Sequence, residues 1–167
     1  DDLAEKIKLL REQSPVSGTL IVADEGVNST IAGHDDDVDA FLSGLQELVG
    51  ELQPKYSYCD HDPFHRFKVK QKREIVTFHN KEVGPHKTVG TYVVPEKWNE
   101  LVQQDDVLLL DTRNKYETKI GLFDGAEDPA GDSFMEFKDY LDDVIDNRGV
   151  KRIAMYCTGG IRCEKST

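Results

Sequence analysis

IAMYCTGGIRCEKST, residues 153–167, holds the most chemical information in the 167-residue chain. An apolar run ends directly at Cys157, and Thr158, Gly159, Gly160, Ile161 and Arg162 follow. Paired glycines tolerate the dihedrals that turn successive N–H groups inward, so this backbone can close into a cradle that holds an anion. The same amides, with a guanidinium nearby, would depress the pKa of the Cys157 thiol and make it a nucleophile at neutral pH. A buried cysteine capping a strand beside an ordinary Gly-Gly turn is the alternative. Arg162 is expected both to steady loop carbonyls and to attract an anionic substrate.

Working upstream, Lys151 to Tyr156 reads as a strand, and the stripe Phe134, Phe137, Leu141, Val144 and Ile145 as a helix. Val107 to Leu110 is a fully apolar strand bounded by Asp106 and Asp111. Pro95 suits the first position of a helix running to about Gln103, and Thr88 to Val94 is strand-like. Strands alternating with helices predict an α/β domain with a mainly parallel sheet, whose ligands bind beyond the carboxyl ends of strands. Two strands end in chemistry-capable residues, Asp111 and Cys157.

The first half has a different rhythm. Leu3, Ile7 and Leu10 mark a helix that Ser14, Pro15, Ser17 and Gly18 break. Thr19 to Ala23, the turn Asp24-Glu25-Gly26 and the alternating Val27, Ser29 and Ile31 form a hairpin. Asp35 to Gly50 carries an apolar stripe behind an acidic first turn, a helix that suits the macrodipole. Residues 66–78 alternate as a strand, with Lys68, Lys70 and Lys72 on one face. Helix, hairpin, helix, strand is α+β, a ferredoxin-like βαββαβ unit without its first strand. The boundary is placed so that residues 1–83 form this domain and 84–167 the α/β domain.

Composition narrows the classes. With 38% apolar and 32% charged residues the chain is globular, and no window approaches the apolar run of a membrane span. The start, DDLAEKIKLL, lacks the order of a signal peptide, and three cysteines cannot all pair, so thiols in a cytoplasmic protein are expected. The net charge of −11 is uneven: residues 1–64 carry −10, 65–90 carry +5, 91–147 carry −10 and 148–167 carry +4. The first basic island, with His65, Arg66, Lys68, Lys70, Lys72 and Arg73, is the RNA-binding candidate, with Tyr58, Phe64 or Phe67 available to stack on a base. A solvated edge strand guarded by lysines is the alternative reading. His61 and His65 stand four apart with Pro63 between them, so no metal site is expected. Cys59 is expected to be structural, and no cofactor fingerprint is evident.

CTGGIR resembles the active-site loop of rhodanese-like domains, and LLLDTRNKYE at 108–117 and GLFDGA at 121–126 agree with it. Related dual-specificity phosphatases place one more residue between cysteine and arginine, so the resemblance implies a loop sized for sulfur. Asp111, Arg113 and Glu117 match a pattern whose implied part is structural, Arg113 pairing with a carboxylate to brace the loop region. More narrowly, GTLIVADEGVNSTIAG, DPFHRFKVKQKREIVTF, VGTYVVPEKW, LLLDTRNKYE and CTGGIRCEKST look like the rhodanese-domain tRNA uridine-34 hydroxylases.

That resemblance implies a ferredoxin-like or acylphosphatase-like N-terminal domain joined to a rhodanese-like domain. It implies oxygen-dependent conversion of wobble uridine to 5-hydroxyuridine at Cys157, with molecular oxygen as co-substrate and the tRNA anticodon region as partner. A sulfur or electron donor protein is a further expected partner, and no membrane is. The family pattern also implies a strand ahead of DDLAEKI and a helix after EKST, so the chain reads as a fragment truncated after the active-site loop. Cys157 would act as a thiolate adding to carbon 6 of uracil, or through a persulfide or oxidised sulfur, with Cys163 as the resolving thiol. A rhodanese-type sulfurtransferase and a non-catalytic rhodanese-fold binding module are the competing functions.

Overall fold

A computed structural model describes residues 2–78 and 89–166. Two compact units divide between Ile75 and Val76. The expected boundary at residue 83 lies outside the described residues.

In the first unit, α1 (Asp2–Gln13) precedes the hairpin of β1 (Ser17–Ala23) and β2 (Gly26–Ala32). The two-residue turn Asp24-Glu25 joins the strands antiparallel, with Val22 opposite Val27 and Ser17 opposite Ala32. After α2 (Asp35–Val49), β3 (Phe67–Gln71) pairs parallel to β1, giving the order β2-β1-β3. Alternation along the strands sends Leu20, Val22, Val27, Ile31, Phe67 and Val69 to one face. There they meet Ile7 from α1 and Phe41 and Leu45 from α2, all but closed to solvent. Lys68 and Lys70, opposite Thr19 and Ile21, belong to the other face.

The strand is shorter than residues 66–78. Its ladder needs β1, whose last pairing is Val22 with Gln71, and the Lys72 N–H to the Val22 carbonyl closes it. Lys72 therefore stands beyond the strand, and the Ile75 N–H turns to the Glu25 carboxylate at 2.6 Å. Phe78 is buried in the core of the second unit.

That unit comprises α3 (Pro95–Val102), β4 (Val107–Asp111), α4 (Lys115–Thr118), α5 (Phe134–Asn147), β5 (Arg152–Tyr156) and α6 (Ile161–Lys165). β4 and β5 pair parallel, Asp111 opposite Tyr156, with α5 between them in the chain. Phe134, Phe137 and Leu141 on α5 pack with Phe78 and Leu110. Ile145 falls off this stripe and is exposed. The strand expected over 88–94 is not formed in its described part, 89–94. Val89, Tyr92 and Val94 are exposed there and offer no buried face, and Val94 is extended only as the residue ahead of Pro95.

Candidate active site

Parallel pairing sets the ends of β4 and β5 side by side, so Asp111 and Cys157 emerge at one edge of the sheet. Thr112 locks them together: its N–H and its Oγ1 both donate to the Tyr156 carbonyl, at 3.0 and 3.1 Å. Beyond Cys157 the loop turns at Gly160, whose φ of 89° is left-handed. That turn aims the Gly160 N–H at Cys157 Sγ, 2.9 Å away. Gly160 alone supplies the backbone freedom expected of the pair. Gly159 has no positive φ, and a Cβ there would meet open space.

Cys157 Sγ accepts a hydrogen bond from the Gly160 N–H, and the Cys163 thiol and the backbone N–H groups of Cys163 and Arg162 also favour its charged form. The Cys163 thiol is the largest influence, and together these donors outweigh burial and lower the Cys157 pKa to about 5. Cys163 moves the opposite way. Its hydrogen bond to Cys157 and its burial keep it protonated, and it also contacts Thr112 Oγ1 at 3.6 Å. The pair is a thiolate and the thiol that solvates it.

Arg162 does not reach loop carbonyls as expected. Its guanidinium donates to Glu117 at 2.5 and 2.8 Å and to Thr158 Oγ1 at 3.4 Å. Thr158 Oγ1 in turn donates to Glu117 at 2.7 Å, and the Asn114 N–H to the same carboxylate at 3.1 Å. Arg162 holds the Glu117 carboxyl down to about 2. This network ties the loop to α4, and its arginine charge is already matched.

Arg113 is likewise paired. It forks onto the fully buried Asp111, at 2.7 Å for the shortest contact, and donates to the Gly121 carbonyl at 2.6 Å. Burial alone would raise the Asp111 pKa, and the hydrogen bonds from Arg113 and Tyr156 reverse that and lower it. The brace expected of Arg113 is thus made within one turn of chain, and the longer-range brace is Arg162 with Glu117.

An open cleft of about 390 Å³ lies against the nucleophile, walled by Arg113, Leu122, Phe123, Tyr156, Cys157 and Thr158. Phe123 packs edge-on to Tyr156 at 4.7 Å, and Trp98 lies 5.9 Å from Phe123. Sequence reasoning missed these aromatic walls. Their signal was GLFDGA, read as a family marker and not for its one large ring.

The RNA candidates fall in the first unit. Lys68 and Lys70 share the sheet face away from the core, with Arg66 and His65 just ahead of β3 and Lys72 and Arg73 just past it. Phe67 is withdrawn from stacking because it packs edge-on to Phe41 at 5.6 Å in the core. Tyr58 is exposed. Cys59 is exposed as well, its thiol donating to the His61 carbonyl at 3.2 Å, so it plays no part in a core.

A cysteine presented at a parallel strand end by main-chain donors, in an α/β unit preceded by an α+β unit, defines a two-unit, cysteine-centred class of protein. Residues 1–75 match the family model described as the UPF0176 acylphosphatase like domain. Across its whole length the chain is similar to a tRNA uridine(34) hydroxylase of Rhizobium leguminosarum bv. trifolii (strain WSM2304), 48% identical over 169 aligned residues. The family resemblance read from the five sequence blocks is borne out by that match. The match covers 100% of this chain and 55% of the relative, so the chain spans about half the length of the curated relative it matches.

Proposed function

We propose that the chain takes part in hydroxylating the wobble uridine of tRNA to 5-hydroxyuridine, with molecular oxygen as co-substrate and Cys157 as the reacting residue. In this reading the second unit is rhodanese-like, the first is ferredoxin-like as well as acylphosphatase-like, and the substrate assigns the protein to the cytoplasm. The observation that carries it is the Cys157 sulfur, held as thiolate by Gly160 N–H at 2.9 Å and its fellow donors at the mouth of an open cleft.

Carbon 5 of uracil becomes electron-rich when a thiolate adds at carbon 6, because the π pair moves toward the carbonyl at carbon 4. Cys157 Sγ is the adding group. Converting C5–H to C5–OH with one O₂ sends the second oxygen atom to water and needs two electrons and two protons. Oxygen bonds to C5 as a hydroperoxide. Loss of the C5 proton with cleavage of the C6–Sγ bond restores the C5=C6 double bond and releases Cys157 as thiolate. The Cys157 thiolate and Cys163 thiol then supply the two electrons and one proton on closing to a disulfide as the O–O bond breaks. Solvent supplies the second proton, and an external thiol donor reopens the disulfide. Lys68 and Lys70 on the sheet face away from the first unit's core, with the neighbouring basic residues, track tRNA phosphates. The sulfurtransferase reading is less well supported by the charges: both guanidinium groups of the site already pair with carboxylates, which suits a neutral substrate better than a free inorganic anion.

The test is nucleoside mass spectrometry of unmodified tRNA incubated with the protein, oxygen and a thiol reductant. Cys157→Ser should abolish 5-hydroxyuridine, and Cys163→Ser should allow at most one slow turnover. Product formed at the normal rate by Cys157→Ser would refute the assignment.

A further inference from the structure

We infer that the cleft beside Cys157 is a pyrimidine-base pocket in which the ring of Phe123 is the stacking platform. This deepens the hydroxylase reading and rests on it for the identity of the base. Phe123 is 51% exposed although it stands inside a cleft, so a large apolar face is left open directly beside a nucleophile. The ring is nevertheless fixed from behind. Tyr156 meets it at 4.7 Å with planes 89° apart, and Trp98 backs it at 5.9 Å and 53°. The Phe123 N–H donates to Tyr156 Oη at 3.2 Å, which ties the backbone to the same support. A ring oriented before the ligand arrives loses little freedom when it stacks.

The surrounding charges select the kind of ligand. Arg113 is forked onto Asp111 and lies over the Tyr156 ring at 5.5 Å, while Arg162 is held by Glu117. Neither guanidinium is left to draw an anion into the cleft, so a flat, uncharged heterocycle suits it better. The volume of about 390 Å³ falls in the range of small-ligand sites. Enzymes that react at a base take it out of its stack and replace the lost neighbour with an aromatic side chain. With Phe123 as that neighbour, the base lies in the same cleft that Cys157 lines, and Phe123 positions it for attack.

The experiment measures binding, apart from turnover. A hairpin RNA carrying uridine at the wobble position, and its twin abasic at that position, are titrated against the chain by fluorescence anisotropy. Trp98, the single tryptophan, reports cleft occupancy in parallel. The wild-type chain should bind the uridine hairpin about ten-fold more tightly than the abasic one. Phe123→Ala and Phe123→Leu should bring that ratio to about one without weakening the abasic hairpin, and Phe123→Tyr should keep it. Phe123→Leu retains apolar packing, and a thermal melt matching wild type shows that it is folded. A ratio near one in the wild-type chain, or a ten-fold ratio that survives in folded Phe123→Leu, overturns the pocket. Formation of 5-hydroxyuridine by the wild-type chain is scored separately. Product with no role for Phe123 removes the pocket alone, whereas Phe123-dependent discrimination without product supports the pocket and counts against hydroxylation.

Discussion

Replacing Cys163 by Ala removes the thiol that donates to Cys157 Sγ and leaves the main-chain donors, including Gly160 at 2.9 Å, in place. A hydrogen bond to a charged group contributes about 1.5–3 kcal/mol, and one pKa unit corresponds to about 1.4 kcal/mol, so the Cys157 midpoint should rise by roughly 1–2 units. Starting from about 5, the midpoint moves into the range of roughly 6–7. The lost donor favoured the ionised form, so the change is toward the protonated thiol. At pH 6 the thiolate fraction should fall from about nine-tenths to between about one-half and one-tenth. The assay is the pH dependence of iodoacetamide alkylation, followed by mass spectrometry of the peptide containing Cys157. A Cys59→Ser background is needed because Cys59 is exposed and would alkylate too. An unmoved midpoint in Cys163→Ala would show that the neighbouring thiol does not solvate the sulfur, and a parent midpoint near the ordinary cysteine value would remove the cradle itself.

Glu117→Gln leaves the largely buried Arg162 guanidinium without its anion and should cost about 2–3 kcal/mol in urea unfolding. Because the folded carboxyl is held down at about 2, its stabilisation is complete above the ordinary glutamate pKa and is lost as pH falls from about 4.5 toward 2, a dependence the variant should lack. Gly18→Ala should cost about 3 kcal/mol or more, since a Cβ at φ +130° would stand 2.2 Å from the Thr30 carbonyl oxygen. Gly26→Ala, at φ +133° with open space around it, should cost only the backbone strain of about 1–3 kcal/mol, and equal thermal shifts would refute the clash. Lys68→Glu with Lys70→Glu should weaken tRNA binding and flatten the dependence of log affinity on log salt by about 2, while an unchanged slope would remove this sheet face from the RNA surface.

The elements with one clear period were legible in the chain itself. The stripes over Asp35–Val49 and Phe134–Asn147, the hairpin around Asp24-Glu25 and the apolar run ending at Asp111 each follow from local spacing that no partner has to complete. Cys157 was legible for a similar reason, because a strand ending at a cysteine before Gly160 leaves its backbone few ways to turn. β3 was overread. Alternation continues past Gln71, but a strand lasts only as long as its pairing, and β1 pairs with β3 no further than Val22.

What spacing could not convey is which charge meets which. Arg113 and Arg162 look alike as cations near a cysteine; tertiary structure gives one to Asp111 two residues away and the other to Glu117 45 residues away. The same limit hid the cleft, since Phe123 and Tyr156 lie 33 residues apart and become one wall only when the loop after β4 folds back to the end of β5. Local sequence determined the helices, the hairpin and the reactive loop, because their periods and dihedral needs act over a few residues. Folding decided the neutralised arginines, the solvated thiolate and the aromatic wall, because each depends on groups that only the packed chain brings within a few ångströms.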